Sequence, residues 1–150
     1  MEKYPERKNP RLKGYDYSTQ NYYFVTVCTN GKRCIFGQPD QLNQYGKWAA
    51  QGLMEIPQHY PDILVDKFVI MPNHVHAILY IHDKKANLSR VIGSYKSFVS
   101  KKIHEREPGK TVWQASFHDH IIRNKESYQN IWQYIDSNPI NWEKECFYTG

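Results

Sequence analysis

At 150 residues the chain has room for one domain with a sizeable core and is short for two. Lysine and arginine number 20 against 15 for aspartate and glutamate, and the resulting charge of +5 favours an anionic partner, nucleic acid first among them. Cys28, Cys34 and Cys146 are odd in number and lack a Cys-x-x-Cys spacing, which speaks against a disulfide framework or a cysteine zinc site, and no apolar stretch approaches a membrane span, so a soluble cytoplasmic protein is expected.

In chain order, residues 1–17 read as a basic arm carrying Lys3, Arg7, Lys8, Arg11 and Lys13, partly offset by Glu2, Glu6 and Asp16. Tyr22 to Thr29 is rich in aromatic and β-branched residues and reads as a largely buried strand ended by Asn30-Gly31. From Leu42 to about His59, Leu42, Tyr45, Ala49, Leu53 and Ile56 recur at helical spacing. Ile63 to Ile70 and His74 to Ile81 read as two strands joined by a tight Pro72-Asn73 turn. A helix follows from Leu88 to about Glu105, then a strand from Phe117 to Ile122, then a helix from Glu126 to Ser137 stopped by Pro139. The order βαββαβα suits an α+β, ferredoxin-like sandwich: one antiparallel sheet with helices on one face.

The segment Met71-Pro72-Asn73-His74-Val75-His76 carries the sharpest signal. Side chains alternate along a strand, so His74 and His76 share one face while Val75 points to the core. Two imidazoles so placed can share one metal ion; equally, they can be an ordinary pair with no ligand.

On the second helix, Leu88, Ile92, Tyr95, Val99 and Ile103 make a buried stripe. Arg90, Ser94, Ser97, Lys101 and His104 fall on the other side, a row that can follow a phosphate backbone or simply face solvent. Lys32 and Arg33, in the loop after the first strand, add positive charge.

In the last helix the stripe of Tyr128, Ile131 and Ile135 should bury, leaving Tyr134 and Asn138 on its margin. A spacing of four stacks those two side chains, setting a hydroxyl beside an amide oxygen of a type that can ligate a metal. Pro139 disfavours helical dihedrals at Asn138 and so loosens that spacing. With 12 tyrosines in the chain, composition does not single out Tyr134.

Four blocks together resemble a known family: Tyr23-Phe24-Val25-Thr26, Met71 to His76, Trp113-Gln114 leading to Asp119-His120-Ile121-Ile122-Arg123, and Tyr134-Ile135 followed by Asn138-Pro139. From about Gly14 to Asn141 the chain is similar to single-tyrosine HUH transposases, and more narrowly to the REP-associated tyrosine transposases related to the insertion-sequence-200 type. The resemblance implies a ferredoxin-like HUH endonuclease core spanning residues 1–150 as one domain. It implies a metal pair at His74 and His76, a further ligand at Asn138 and a nucleophile at Tyr134. The substrate it implies is single-stranded DNA next to a hairpin. It assigns no role to His120.

A phosphodiester is anionic and repels nucleophiles, so a divalent cation on it is expected; Mg²⁺ or Mn²⁺ suits a phosphate substrate with imidazole and amide ligands. Attack by the phenol of Tyr134 expels a 3′ hydroxyl and leaves a 5′-phosphotyrosine. Two other classes stay open. One is a zinc hydrolase with a third histidine from His82, His118 or His120; the other is a non-catalytic nucleic-acid-binding module that stacks bases on sheet aromatics. A monomer and a homodimer are both compatible with the sequence.

Overall fold

The computed structural model describes residues 21–82 and 87–139. The elements are β1 (Tyr22–Cys28), a 3-10 turn (Asn30–Lys32), β2 (Gly37–Gln38), β3 (Gln41–Leu42), α1 (Gln44–His59), β4 (Ile63–Met71), β5 (His74–Ile81), α2 (Leu88–His104), β6 (His118–Ile122) and α3 (Lys125–Ser137). The four long strands form one sheet in the order β4-β5-β1-β6, and each neighbouring pair is antiparallel. With the strand, helix, strand, strand, helix, strand sequence, this is the ferredoxin-like α+β arrangement expected above. No helix among the described residues is long and apolar enough to cross a membrane.

Each α-helix among the described residues begins on an asparagine. The side chains of Asn43, Asn87 and Asn124 accept from the backbone N–H of Gly46, Arg90 and Ser127, satisfying amides that an uncapped first turn leaves orphaned. The cap also moves the first helix. Leu42, counted above as its first apolar residue, pairs with Gly37 in the small β2–β3 hairpin, and the extended Asn43 delays the helix to Gln44.

Alternation along the strands sorts the core into two layers. Val25, Val27, Val75, Ala77, Leu79 and Ile81 point to one side, where Ala49, Leu53 and Ile56 of α1 and Val91, Ile92, Tyr95, Val99 and Ile103 of α2 cover them. The two helices approach closely at Gly52, where an added Cβ would lie 2.9 Å from the Tyr95 ring, so only glycine fits. On the opposite side, Tyr22, Ile78 and Ile122 bury against Tyr128, Trp132 and Ile135 of α3. The expectation of helices on one face therefore holds for α1 and α2, and α3 covers the other. Its buried stripe runs through Trp132, with Ile131 only partly covered.

Lys67 fixes α3 laterally: its Nζ lies 2.9 Å from Asp136 Oδ1 and 4.0 Å from the Trp132 ring centroid. The Tyr128 hydroxyl donates to Asp66, buried where the β4–β5 register shifts between Val65 and Lys67. The last helix is thus tied to the outer strand β4 by charge and hydrogen bonding as well as by apolar burial.

Candidate active site

The β4–β5 connection is the two-residue turn Pro72-Asn73, with Met71 paired to His74, so the histidines open β5 at the sheet's end. Both lie on the α3 side. Their ring centroids are 4.6 Å apart, and the intervening Val75 is buried in the opposite layer, as strand alternation requires.

Each imidazole is oriented through Nδ1. His74 Nδ1 lies 2.7 Å from Asn73 Oδ1, while Asn73 Nδ2 donates to the Lys32 carbonyl at 3.1 Å. An amide oxygen only accepts, so His74 carries its proton on Nδ1 and leaves Nε2 with a lone pair. His76 Nδ1 lies 2.9 Å from Thr26 Oγ1, its cross-strand neighbour. Burial pushes His74 down to about 4, helped by the Lys32 charge and opposed by the nearby Asn138 amide. Burial and then the His74 charge push His76 down to about 3. Both rings are neutral at pH 7, the form that ligates a cation.

The last helix completes the cluster. Tyr134 is 44% exposed, and its ring centroid lies 5.4 Å from that of His76. Phe24 packs against both, stacked on His76 at 5.2 Å and edge-on to Tyr134 at 6.4 Å. Asn138 keeps helical dihedrals (φ −56, ψ −45) despite Pro139, so it stays one turn beyond Tyr134. The looser spacing expected from the proline is not found. Nor is Asn138 marginal, since only 1% of it is exposed. His76 Nε2 and both Asn138 side-chain polar atoms are buried with no hydrogen-bond partner among the described residues. Buried polar atoms left this way cost about 1–3 kcal/mol each unless a ligand serves them.

The other sequence-predicted residues separate. Lys32 stands beside the pair, close enough for its charge to lower His74, and it takes a left-handed backbone conformation (φ 54) after Gly31. Arg33 follows it and lines a small cavity of about 240 Å³ with Lys110 and Thr111. Arg90, Ser94, Ser97 and Lys101 are all exposed on α2. Because α2 covers the opposite side of the sheet, the structure does not bring this row to the histidines. Ser94, Ser97 and Lys101 instead line a groove of about 470 Å³ between α1 and α2. His120 is exposed on β6, paired with Phe24.

Among the described residues no group of three His, Cys, Asp or Glu side chains is positioned to hold a metal. His82 lies beyond the far end of β5, roughly 25 Å along the strand from His74. The groups that meet here are two imidazoles, with the Asn138 amide near His74. The sequence reading missed their supports, Thr26, Asn73 and Phe24. Asn73 was findable as the turn residue before His74, whereas Thr26 and Phe24 depend on the β1–β5 register.

A family model described as "Transposase IS200 like" matches residues 16–138. The chain belongs to the IS200-like transposase family. A family relative in Haemophilus influenzae, itself without an assigned function, is 36% identical over 95% of this chain and 93% of its own length. The REP-associated tyrosine transposase of Escherichia coli is 28% identical over 54% of this chain and 48% of its own. A solved REP-associated tyrosine transposase bound to a REP hairpin shares the fold, with a TM-score of 0.65 at 21% identity, covering 82% of this chain and 68% of that one. The chain is thus a transposase-family protein related to the REP-associated tyrosine transposases.

Proposed function

We propose that this chain cuts and rejoins single-stranded DNA next to hairpins through a 5′-phosphotyrosine on Tyr134. The observation that carries the reading is the meeting of Tyr134 with His76, ring centroids 5.4 Å apart, beside unpartnered buried atoms on His76 and Asn138. A hairpin-flanked substrate is suggested by the structural relative, which is bound to a REP hairpin.

The donor set fits a divalent cation. His74 offers a lone pair on Nε2, His76 a buried Nε2 with no partner among the described residues, and Asn138 an amide oxygen already stripped of water; His74, His76 and Asn138 would hold Mg²⁺ or Mn²⁺. Such an ion supplies charge neutralisation on the non-bridging phosphate oxygens. The chain's own groups do the rest. Lys32 adds positive charge beside the pair, favouring approach of a phosphate. Thr26 and Asn73 hold the imidazole planes, and Phe24 keeps Tyr134 against His76. The Tyr134 oxygen forms a bond to phosphorus as the bond from phosphorus to the 3′ oxygen breaks. The phenol proton passes to solvent, and the departing 3′ oxygen takes up a proton. The phosphotyrosine ester keeps the bond energy for rejoining to another 3′ hydroxyl, so no nucleotide cofactor is needed.

The test is a covalent adduct. The chain is incubated with hairpin-flanked single-stranded oligonucleotides and Mn²⁺ and run on a denaturing gel, where a DNA-linked species is expected with the nucleotide mapping to Tyr134. Cleavage with no adduct means water is the nucleophile and overturns the reading.

A further inference from the structure

Two histidines on the catalytic face are not used by this chemistry. The register pairs Thr26 with both His76 and His118, and Phe24 with both Ile78 and His120. Directly opposed residues in an antiparallel sheet share a face, so His118 and His120 lie on the side of His74 and His76, two strands or about 10 Å away. Asp119, between them, points to the other side. Both histidines are exposed, and neither makes a hydrogen bond or ion pair with any described residue.

The uneven cover of this face gives them meaning. Lys67, Asp66 and the Tyr22–Ile122 end of the sheet hold α3 over β4 and β5, leaving a ledge along β1 and β6 floored by Phe24 and Thr26 and edged by the two imidazoles. The ledge runs directly into the candidate site, because the Phe24 ring touches both His76 and Tyr134. Arg123 and Lys125, both exposed, follow at the end of β6 and suit an anionic chain. Flat rings beside exposed cations are what single-stranded nucleic acid uses for stacking and backbone neutralisation.

We propose that this ledge holds an unpaired nucleotide adjoining the cleaved phosphate, with its base against His120 and Phe24 and with His118 as the outer contact. The assignment rests on the single-strand cleavage proposed above and adds the path by which the strand reaches Tyr134.

The test is photo-cross-linking of 5-bromodeoxyuridine-substituted single strands, flanked by the target hairpin, to the full chain in EDTA. Trypsin releases residues 111–123 as one peptide, and this peptide should carry the cross-link. The variant His118→Ala/His120→Ala should lose the cross-link and bind the strand about ten-fold more weakly, the size of one stacked base. His120→Tyr, which keeps a ring, should retain most of the affinity that His120→Ala gives up. Melting temperatures should be unchanged, since both side chains are exposed. Wild-type cross-links confined to other peptides, or unaltered binding by the double variant, would overturn the ledge while leaving the cleavage reading intact. If the wild-type chain binds no single strand at all, the cleavage reading falls together with it.

Discussion

Thr26 Oγ1 lies 2.9 Å from His76 Nδ1, across the strand pair that forms the floor of the site. A contact there fixes the orientation of a ring whose Nε2 is buried with no hydrogen-bond partner among the described residues. Thr26→Val keeps the β-branched shape and removes only that hydroxyl. It should weaken Mn²⁺ affinity and adduct formation by about 10- to 100-fold with little loss of stability. Thr26→Ser should retain most of both. Equal metal affinity in Thr26→Val, read by calorimetric titration, would show that the hydroxyl is packing alone.

Replacing His74 or His76 with Ala should abolish adduct formation. It should also remove a property measurable without DNA. A ligand held only by the folded state at about one hundred times its dissociation constant adds about 2.7 kcal/mol of stability. Wild-type melting should therefore rise with Mn²⁺, and that of the variants should not. A Mn²⁺-dependent rise that survives in the His74→Ala/His76→Ala double variant would move the metal site elsewhere.

Tyr134→Phe and Tyr128→Phe make an instructive pair because their environments are reversed. Tyr134 is 44% exposed, so losing its hydroxyl should cost little stability while eliminating the adduct. Tyr128 is buried and donates to Asp66, so losing its hydroxyl should cost about 1–3 kcal/mol while leaving adduct formation in place at a temperature where the variant is folded. Denaturant unfolding and a denaturing gel measure the two effects separately.

The α2 row makes a different kind of forecast. Arg90 and Lys101 are exposed on the side of the sheet away from Tyr134, so they can strengthen binding without touching the chemistry. Arg90→Ala/Lys101→Ala should reduce the salt dependence of single-strand binding by roughly 0.7 for each phosphate that the two side chains neutralise. The cleavage rate of saturated enzyme should not change. An unaltered salt slope would make the row a solvated helix face.

The parts of this site that were legible in the sequence follow from rigid short-range geometry. A strand's period of two put His74 and His76 on one side whatever the tertiary fold, and the helical period kept Tyr134 one turn from Asn138 even with Pro139 next in line. Long-range choices were not legible. Periodicity in α3 identifies a buried stripe but not the sheet face it covers, and that depends on the Lys67–Asp136 and Tyr128–Asp66 contacts with β4. The β2–β3 hairpin has only two residues per strand, too few for any period to register. The family resemblance supplied roles for Tyr134 and Asn138 that spacing alone left open. The basic arm at residues 1–17 and Cys146 lie outside the described residues.

The contact between Tyr134 and His76 also bears on how copies of the chain can cooperate. Tyr134 and His76 meet inside one polypeptide, with α3 fastened to the same sheet that carries the histidines. On the cleavage chemistry proposed above, each copy would be self-sufficient for strand scission. Mixing Tyr134→Phe protein with His74→Ala/His76→Ala protein should leave the mixture inactive, because each defect stays within its own chain. Genetically, two such defective alleles should fail to complement.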